Sequence, residues 1–181
     1  MFIQTEATPN PNTLKFLPGV PVMKEGTAFF TSAEQAERSL LAKIIFSFDG
    51  VTAVFMGSDF ITVTKRESDE WNALKAPILK AVMDHFVAGK PVTEEKAPAQ
   101  TFEDDSEIAK QIRELIDTRV RPAVAQDGGD IIFRGFHDGI VQLELHGACS
   151  GCPSSTATLK QGIENMLKHY VPEVIAVEAV A

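Results

Sequence analysis

The chain has 181 residues, with hydrophobic residues at 44% and charged residues at 23%, the make-up of an ordinary globular protein. That excludes a wholly disordered chain, a collagen-like chain and a disulfide-rich mini-protein, and leaves room for one large domain or two small ones. Seventeen basic residues against 25 acidic ones give a net charge of −8, which disfavours binding of nucleic acid or anionic lipid over the whole surface. Neither a membrane nor a nucleic acid is expected as a partner.

The first element pair is extended. Residues 2–7 (FIQTEA) and 13–19 (TLKFLPG) flank Thr8-Pro9-Asn10-Pro11-Asn12, a turn in which each proline fixes its own φ and keeps its predecessor extended. Ser32-Ala33-Glu34-Gln35 fits a capping box, and apolar residues at 36, 40, 41, 44, 45 and 48 predict a helix that Asp49-Gly50 stops. VTAVFM and FITVTK around Gly57-Ser58-Asp59 predict a hairpin. A second helix is marked by Trp71, Leu74, Ile78, Leu79, Val82, Met83, Phe86 and Val87, with Pro77 expected to kink it or delay its start. Trp71 and the phenylalanines are expected in the core rather than on a binding platform.

The patterning fails over Gly89–Asp105. This stretch has two prolines, five acids and two lysines, and only Val92 and Phe102 are large and apolar. It cannot bury enough surface to offset its ordering entropy, and it predicts an acidic linker at 89–105 between domains at 1–88 and 106–181.

The second domain opens with helix spacing at Ile108, Ile112, Leu115, Ile116 and Val120. Pro122 interrupts, a further turn runs toward Gln126, and Asp127-Gly128-Gly129-Asp130 ends the helical stretch. IIFRGF and IVQLELHG flank His137-Asp138-Gly139 as another hairpin, residues from Pro153 open a helix carrying Leu159, Ile163, Met166 and Leu167, and VIAVEAV reads as a last strand. The fold class expected is α+β: two small domains, each with helices packed on a mostly antiparallel sheet.

Chemistry concentrates in one window. The chain's two cysteines, Cys149 and Cys152, form a CxxC where a strand hands over to a helix. Pro153 suits a first helical position, so Cys152 falls near a helix N-terminus, where unpaired N–H groups favour thiolate. The expectation is a lowered thiol pKa for Cys152, and for the pair a metal or redox site rather than a structural staple. Neither sulfur is expected to hold the metal-free domain together.

Two thiolates are half of a four-thiolate iron–sulfur or zinc site, so a site of four cysteines needs two chains. The rivals are a thioredoxin-like redox pair and a zinc site that adds His146. Thioredoxin's motif belongs to a βαβ crossover, whereas the Asp138-Gly139 hairpin implies an antiparallel neighbour. Elsewhere the blander readings win. Asp127 and Asp130 are expected to flank a surface turn, Arg121 to face a helix dipole, and Ser154 and Ser155 to cap a helix. The chain carries no Ser/His/Asp set, P-loop or GxGxxG motif.

Residues 121–178 closely resemble the C-terminal domain of Nfu/NifU-type iron–sulfur carriers, through Arg121-Pro122, Asp127-Gly128-Gly129-Asp130, the run Gly147–Ser155, Thr158-Leu159-Lys160, Gly162-Ile163-Glu164 and Val171-Pro172-Glu173. Residues 1–88 resemble the N-terminal domain of two-domain Nfu proteins, through the Thr8–Asn12 turn and Asp59–Lys65. The resemblance implies a non-enzymatic carrier in which Cys149 and Cys152 of two protomers hold one 4Fe–4S cluster. It also implies a homodimer when loaded, apo iron–sulfur proteins as recipients, and upstream cluster-assembly machinery as donor. The first six residues lack the basic, apolar or Arg-rich character of a targeting segment, so a cytoplasmic protein is expected.

Overall fold

The computed structural model describes residues 2–93, 106–151 and 153–180, and for 153–155 the backbone alone. The chain forms two compact units, Met1–Pro98 and Ala99–Ala181. The α+β expectation holds for both.

In the first unit, β1 (Gln4–Ala7), β2 (Thr13–Leu17), β3 (Ala28–Phe30), β4 (Val51–Met56) and β5 (Ile61–Lys65) form an antiparallel sheet in the order β1-β2-β5-β4-β3. Register places Phe16, Ile61, Met56 and Ala28 in one row across the sheet. That row is buried under Leu41 and Ile45 of α1 (Leu40–Phe46) and Ile78 and Val82 of α2 (Trp71–Val87). The Thr8–Asn12 turn is held by its own side chains: Asn12 N–H donates to Asn10 Oδ1 at 3.0 Å and Thr8 Oγ1 to the Asn10 carbonyl at 2.9 Å. Trp71 packs against the core and donates Nε1–H to the Pro11 carbonyl at 3.1 Å, as its expected core role requires.

Two helix expectations change. The stretch from Ser32 is a 3₁₀ turn (Gln35–Arg38) followed by α1, and the break falls at Ser39. Ser39 is extended and its hydroxyl caps α1 by accepting from Ala42 N–H at 3.2 Å. Ser32 does accept from Gln35 N–H at 3.3 Å, but Gln35 returns its side chain to Thr31 N–H at 3.0 Å, one residue before the place a capping box requires. Pro77 does not delay α2, which starts at Trp71 and runs through the proline.

The first unit also reaches further than its patterning suggested. Val92 is buried in the first core, and Ser39 Oγ donates to its carbonyl at 2.5 Å. Residues 94–105, including Phe102, lie outside the described residues.

In the second unit one helical stretch comprises α3 (Glu107–Leu115), a π-helical turn (Ile116–Val120) and α4 (Arg121–Gln126). Pro122 follows the π-helical turn inside that stretch: Arg121 N–H still donates to the Ile116 carbonyl, and Pro122 has no N–H with which to continue the series. Next, β6 (Gly129–His137) and β7 (Ile140–Gly147) pair antiparallel around Asp138 and Gly139, with φ of 51° and 80°. Two consecutive positive φ values are what a tight two-residue hairpin needs. After α5 (Pro153–Tyr170), β8 (Ala176–Val180) pairs parallel to β7. The hairpin argument against a redox pair therefore loses force, because β7-α5-β8 is itself a crossover of the βαβ kind. The second core gathers Ile112, Ile116 and Val124 from the helices, Ile131, Phe133 and Leu143 from the sheet, Leu167 from α5, and Cys149.

Candidate functional site

The loop that carries the CxxC hangs from the start of β6. Gly129 pairs with Gly147 at the end of the ladder, and Ala148 N–H donates to the Gly128 carbonyl at 3.1 Å. The chain then turns sharply. Gly147 and Gly151 take φ of 64° and 78°, the left-handed region where a Cβ is strained. Between them Ser150 donates both N–H and Oγ–H to the Gly147 carbonyl, at 3.1 and 2.9 Å. Thr156 Oγ1, in the first turns of α5, donates to the Cys149 carbonyl at 3.1 Å. The loop is thus fixed to the sheet on one side and to α5 on the other.

Cys149 is 7% exposed and its side chain belongs to the second core. Its sulfur lies over Gly129, where a side-chain carbon would collide with it. Burial pushes the thiol up to about 12, and the charges of Asp127 and Asp130 add to the effect. The Cys149 sulfur packs in the second core, so Cys149→Ser places a hydroxyl in an apolar site. The lowered thiol pKa is expected of Cys152. Cys152 lies outside the described residues, as do the side chains of Ser154 and Ser155.

Two neighbours also differ from expectation. Asp130 is buried rather than on a surface turn, and Arg121 is its partner rather than a helix dipole's. The guanidinium donates Nε–H and Nη2–H to the two carboxylate oxygens at 2.8 Å each, and Nη1 to Asp117 at 3.3 Å. Asp130 Oδ1 also accepts from Ile131 N–H at 2.8 Å. A fork-on-carboxylate pair of this kind ties α4 to the first residues of β6, the strand start from which the cysteine loop hangs. Its sequence signal was present, since Arg121 and Asp130 both fall in the motif, but their nine-residue separation hid the contact.

His146 Nε2 stands 2.7 Å from Glu144 Oε1, and Arg134 Nε donates to Glu144 Oε2 at 2.6 Å. Burial disfavours the Glu144 charge, but the hydrogen bonds from His146 and Arg134 outweigh it and hold this carboxyl below its usual range. His146 is thereby engaged along its own strand. Among the described residues, no three His, Cys, Asp or Glu side chains stand together where they could hold a metal ion. Among the same residues no helix is long and apolar enough to cross a membrane.

Residues 3–89 match the family described as scaffold protein Nfu/NifU N terminal, and residues 112–178 match the NifU-like domain. Over 99% of its length the chain is 52% identical to the human protein named NFU1 iron-sulfur cluster scaffold homolog, mitochondrial, of which it covers 72%. It is likewise 52% identical to the Drosophila virilis protein of that name, and spans 62% of that relative's length. Among solved structures, a NifU-like protein from Saccharomyces cerevisiae aligns with 53% of this chain and 87% of its own at a TM-score of 0.49 and 27% identity. The mitochondrial relatives overturn the expectation of a cytoplasmic protein. The two matched segments and the near-full-length identity show that the chain belongs to the Nfu/NifU family.

Proposed function

We propose that this protein is a non-enzymatic carrier of iron–sulfur clusters, holding one 4Fe–4S cluster between Cys149 and Cys152 of two protomers and delivering it to apo-proteins. The observation that carries this reading is the ligand shortage. The chain owns two cysteines, both in the segment that matches the NifU-like domain, and among the described residues no three His, Cys, Asp or Glu side chains stand together as a metal site. A cluster wanting four thiolates then requires a second chain. Relatives named as iron–sulfur cluster scaffolds support the cargo.

Transfer is ligand exchange. A recipient thiolate bonds to an iron as a carrier thiolate leaves, and the departing sulfur takes up a proton. Iron, sulfide and their oxidation states are unchanged, so no outside reductant is needed. Each protomer contributes two bonds, so release proceeds in small steps and frees the dimer. Upstream cluster-assembly machinery supplies the cargo.

The β7-α5-β8 crossover favours one other reading, a thiol–disulfide oxidoreductase. Its first cysteine would have to be an accessible thiolate, and Cys149 is buried with a raised pKa.

Anaerobic reconstitution with iron and sulfide separates the two. The carrier gives a coloured dimer with about four irons per pair of chains, and chelation returns it to colourless protein. A protein that takes up no iron and instead cycles a disulfide catalytically overturns the carrier.

A further inference from the structure

Gly129 is the one glycine of the cysteine loop's neighbourhood whose backbone does not call for glycine. Gly128, Gly147 and Gly151 have φ of 81°, 64° and 78°; Gly129 is not among the positive-φ residues and begins a β-strand. Glycine within a strand weakens it and marks a close approach by something else. Here that something is the cysteine. A methyl group on Gly129 would collide with Cys149 Sγ and would lie 2.9 Å from the His146 carbonyl oxygen and 3.1 Å from Cys149 N.

We propose that Gly129 is a positioning residue: the space left by its missing side chain is a seat in which the metal-free protomer stows the Cys149 sulfur, from which the sulfur must be drawn to bind cargo. The seat explains how a cysteine only 7% exposed can sit on a loop next to solvent-facing Gly151. It also explains how the sulfur can move without unfolding its surroundings. The backbone on either side is pinned, Ala148 N–H to the Gly128 carbonyl and the Cys149 carbonyl to Thr156, so rotation about the Cys149 Cα–Cβ bond carries the sulfur out. A stowed thiol is shielded from oxidation while the carrier is empty. That consequence rests on the carrier reading; the seat itself does not.

The test uses the full chain with Cys152→Ser, so that Cys149 is the only thiol. In metal-free protein, iodoacetamide should modify Cys149 about tenfold or more slowly in the folded state than in urea. Gly129→Ala should return most of that factor, because the added carbon occupies the seat. A folded-state rate equal to the urea rate, or a Gly129→Ala rate equal to its parent's, overturns the proposal.

A second measurement covers a variant that folds poorly. The Tm loss caused by Gly129→Ala is compared in Cys149 and Cys149→Ala backgrounds. A loss at least halved when the sulfur is gone supports the seat; equal losses overturn it, since the conflict then lies with the His146 carbonyl. No arm contains a cluster. Failure of the carrier reading shows separately, as wild-type protein that loads no iron.

Discussion

Asp130 is buried, and Arg121 and the Ile131 N–H meet its carboxylate unequally. Arg121 meets both oxygens, while Ile131 N–H meets one. Removing either end of the ion pair has different consequences because their exposures differ. The Arg121 side chain is 30% exposed and also reaches Asp117, so after Asp130→Ala its charge keeps water and a second carboxylate. After Arg121→Ala the carboxylate stays buried without its fork. Arg121→Ala should therefore cost about 2–4 kcal/mol, and Asp130→Ala clearly less, read as the shift of the urea midpoint at unchanged slope. A larger loss for Asp130→Ala would mean that the carboxylate serves the backbone more than the guanidinium. His85, buried at the end of α2, gives a residue-scale pH effect. Burial lowers its pKa, against the Pro91 carbonyl and with the charge of Lys90. Phe86 stands edge-on at 5.6 Å. The unfolded chain therefore takes up a proton at higher pH than the folded one. The neutral ring's contribution is complete above the ordinary value of about 6.5 and declines as pH falls below it toward the folded pKa. Calorimetry on His85→Leu should show a flatter dependence of Tm on pH between about 5 and 7 than the parent. An unchanged slope would place that pH dependence elsewhere.

Elements in this chain are set by caps and turns whose signals differ in how far they reach along the sequence. Ser39 and Ser106 both cap helices, accepting from Ala42 and Ala109 N–H at 3.2 and 3.1 Å. Ser106 was legible as the start of a domain, since an apolar stripe follows it directly. Ser39 was not, because residues at 36, 40, 41, 44 and 45 read as one continuous helix. Its second bond, to the Val92 carbonyl, crosses 53 residues, and no local pattern encodes it. That difference is measurable. Ser106→Ala should cost about 1 kcal/mol, the worth of a cap, and Ser39→Ala about twice that, because a buried carbonyl also loses its donor. The same division runs through the site. The hairpin at Asp138-Gly139, the helix after Pro153 and the glycine-rich end of α4 were readable, because turn chemistry is local. The parallel pairing of β8 with β7, the Arg121–Asp130 fork and the burial of Cys149 were not. Each joins segments separated by many residues or by an intervening element, and nothing in the local pattern around Cys149 announces the β6 glycine beneath its sulfur. Val92 shows the converse, a lone apolar residue among linker chemistry that finds a core to enter.

At the scale of the molecule, two cores with no common member divide the labour. The NifU-like match and the cysteine loop lie wholly in the second unit, and the Ser39 and His85 features lie in the first. Units that each bury their own apolar residues unfold with their own midpoints unless an interface couples them strongly. Urea unfolding of the full chain should then show one transition that moves with Ser39→Ala and another that moves with Arg121→Ala, the double variant moving both by the single-variant amounts. A single transition displaced by either substitution would mean that the units stabilise each other. The same separation governs cargo. Deleting residues 1–93 removes the first core with its Val92 anchor but leaves Arg121, Gly129 and Thr156, which among the described residues support Cys149 and its loop. The shortened chain should load the same iron and sulfide per protomer as the full one. Its rate of transfer should fall for those recipients that the first unit helps to engage. Iron and sulfide assays measure the first quantity, and recovery of activity in several apo-enzymes measures the second. Lower loading would draw the first unit into the site. Equal transfer to every recipient would remove recognition from its duties and leave it as a module folded beside the carrier.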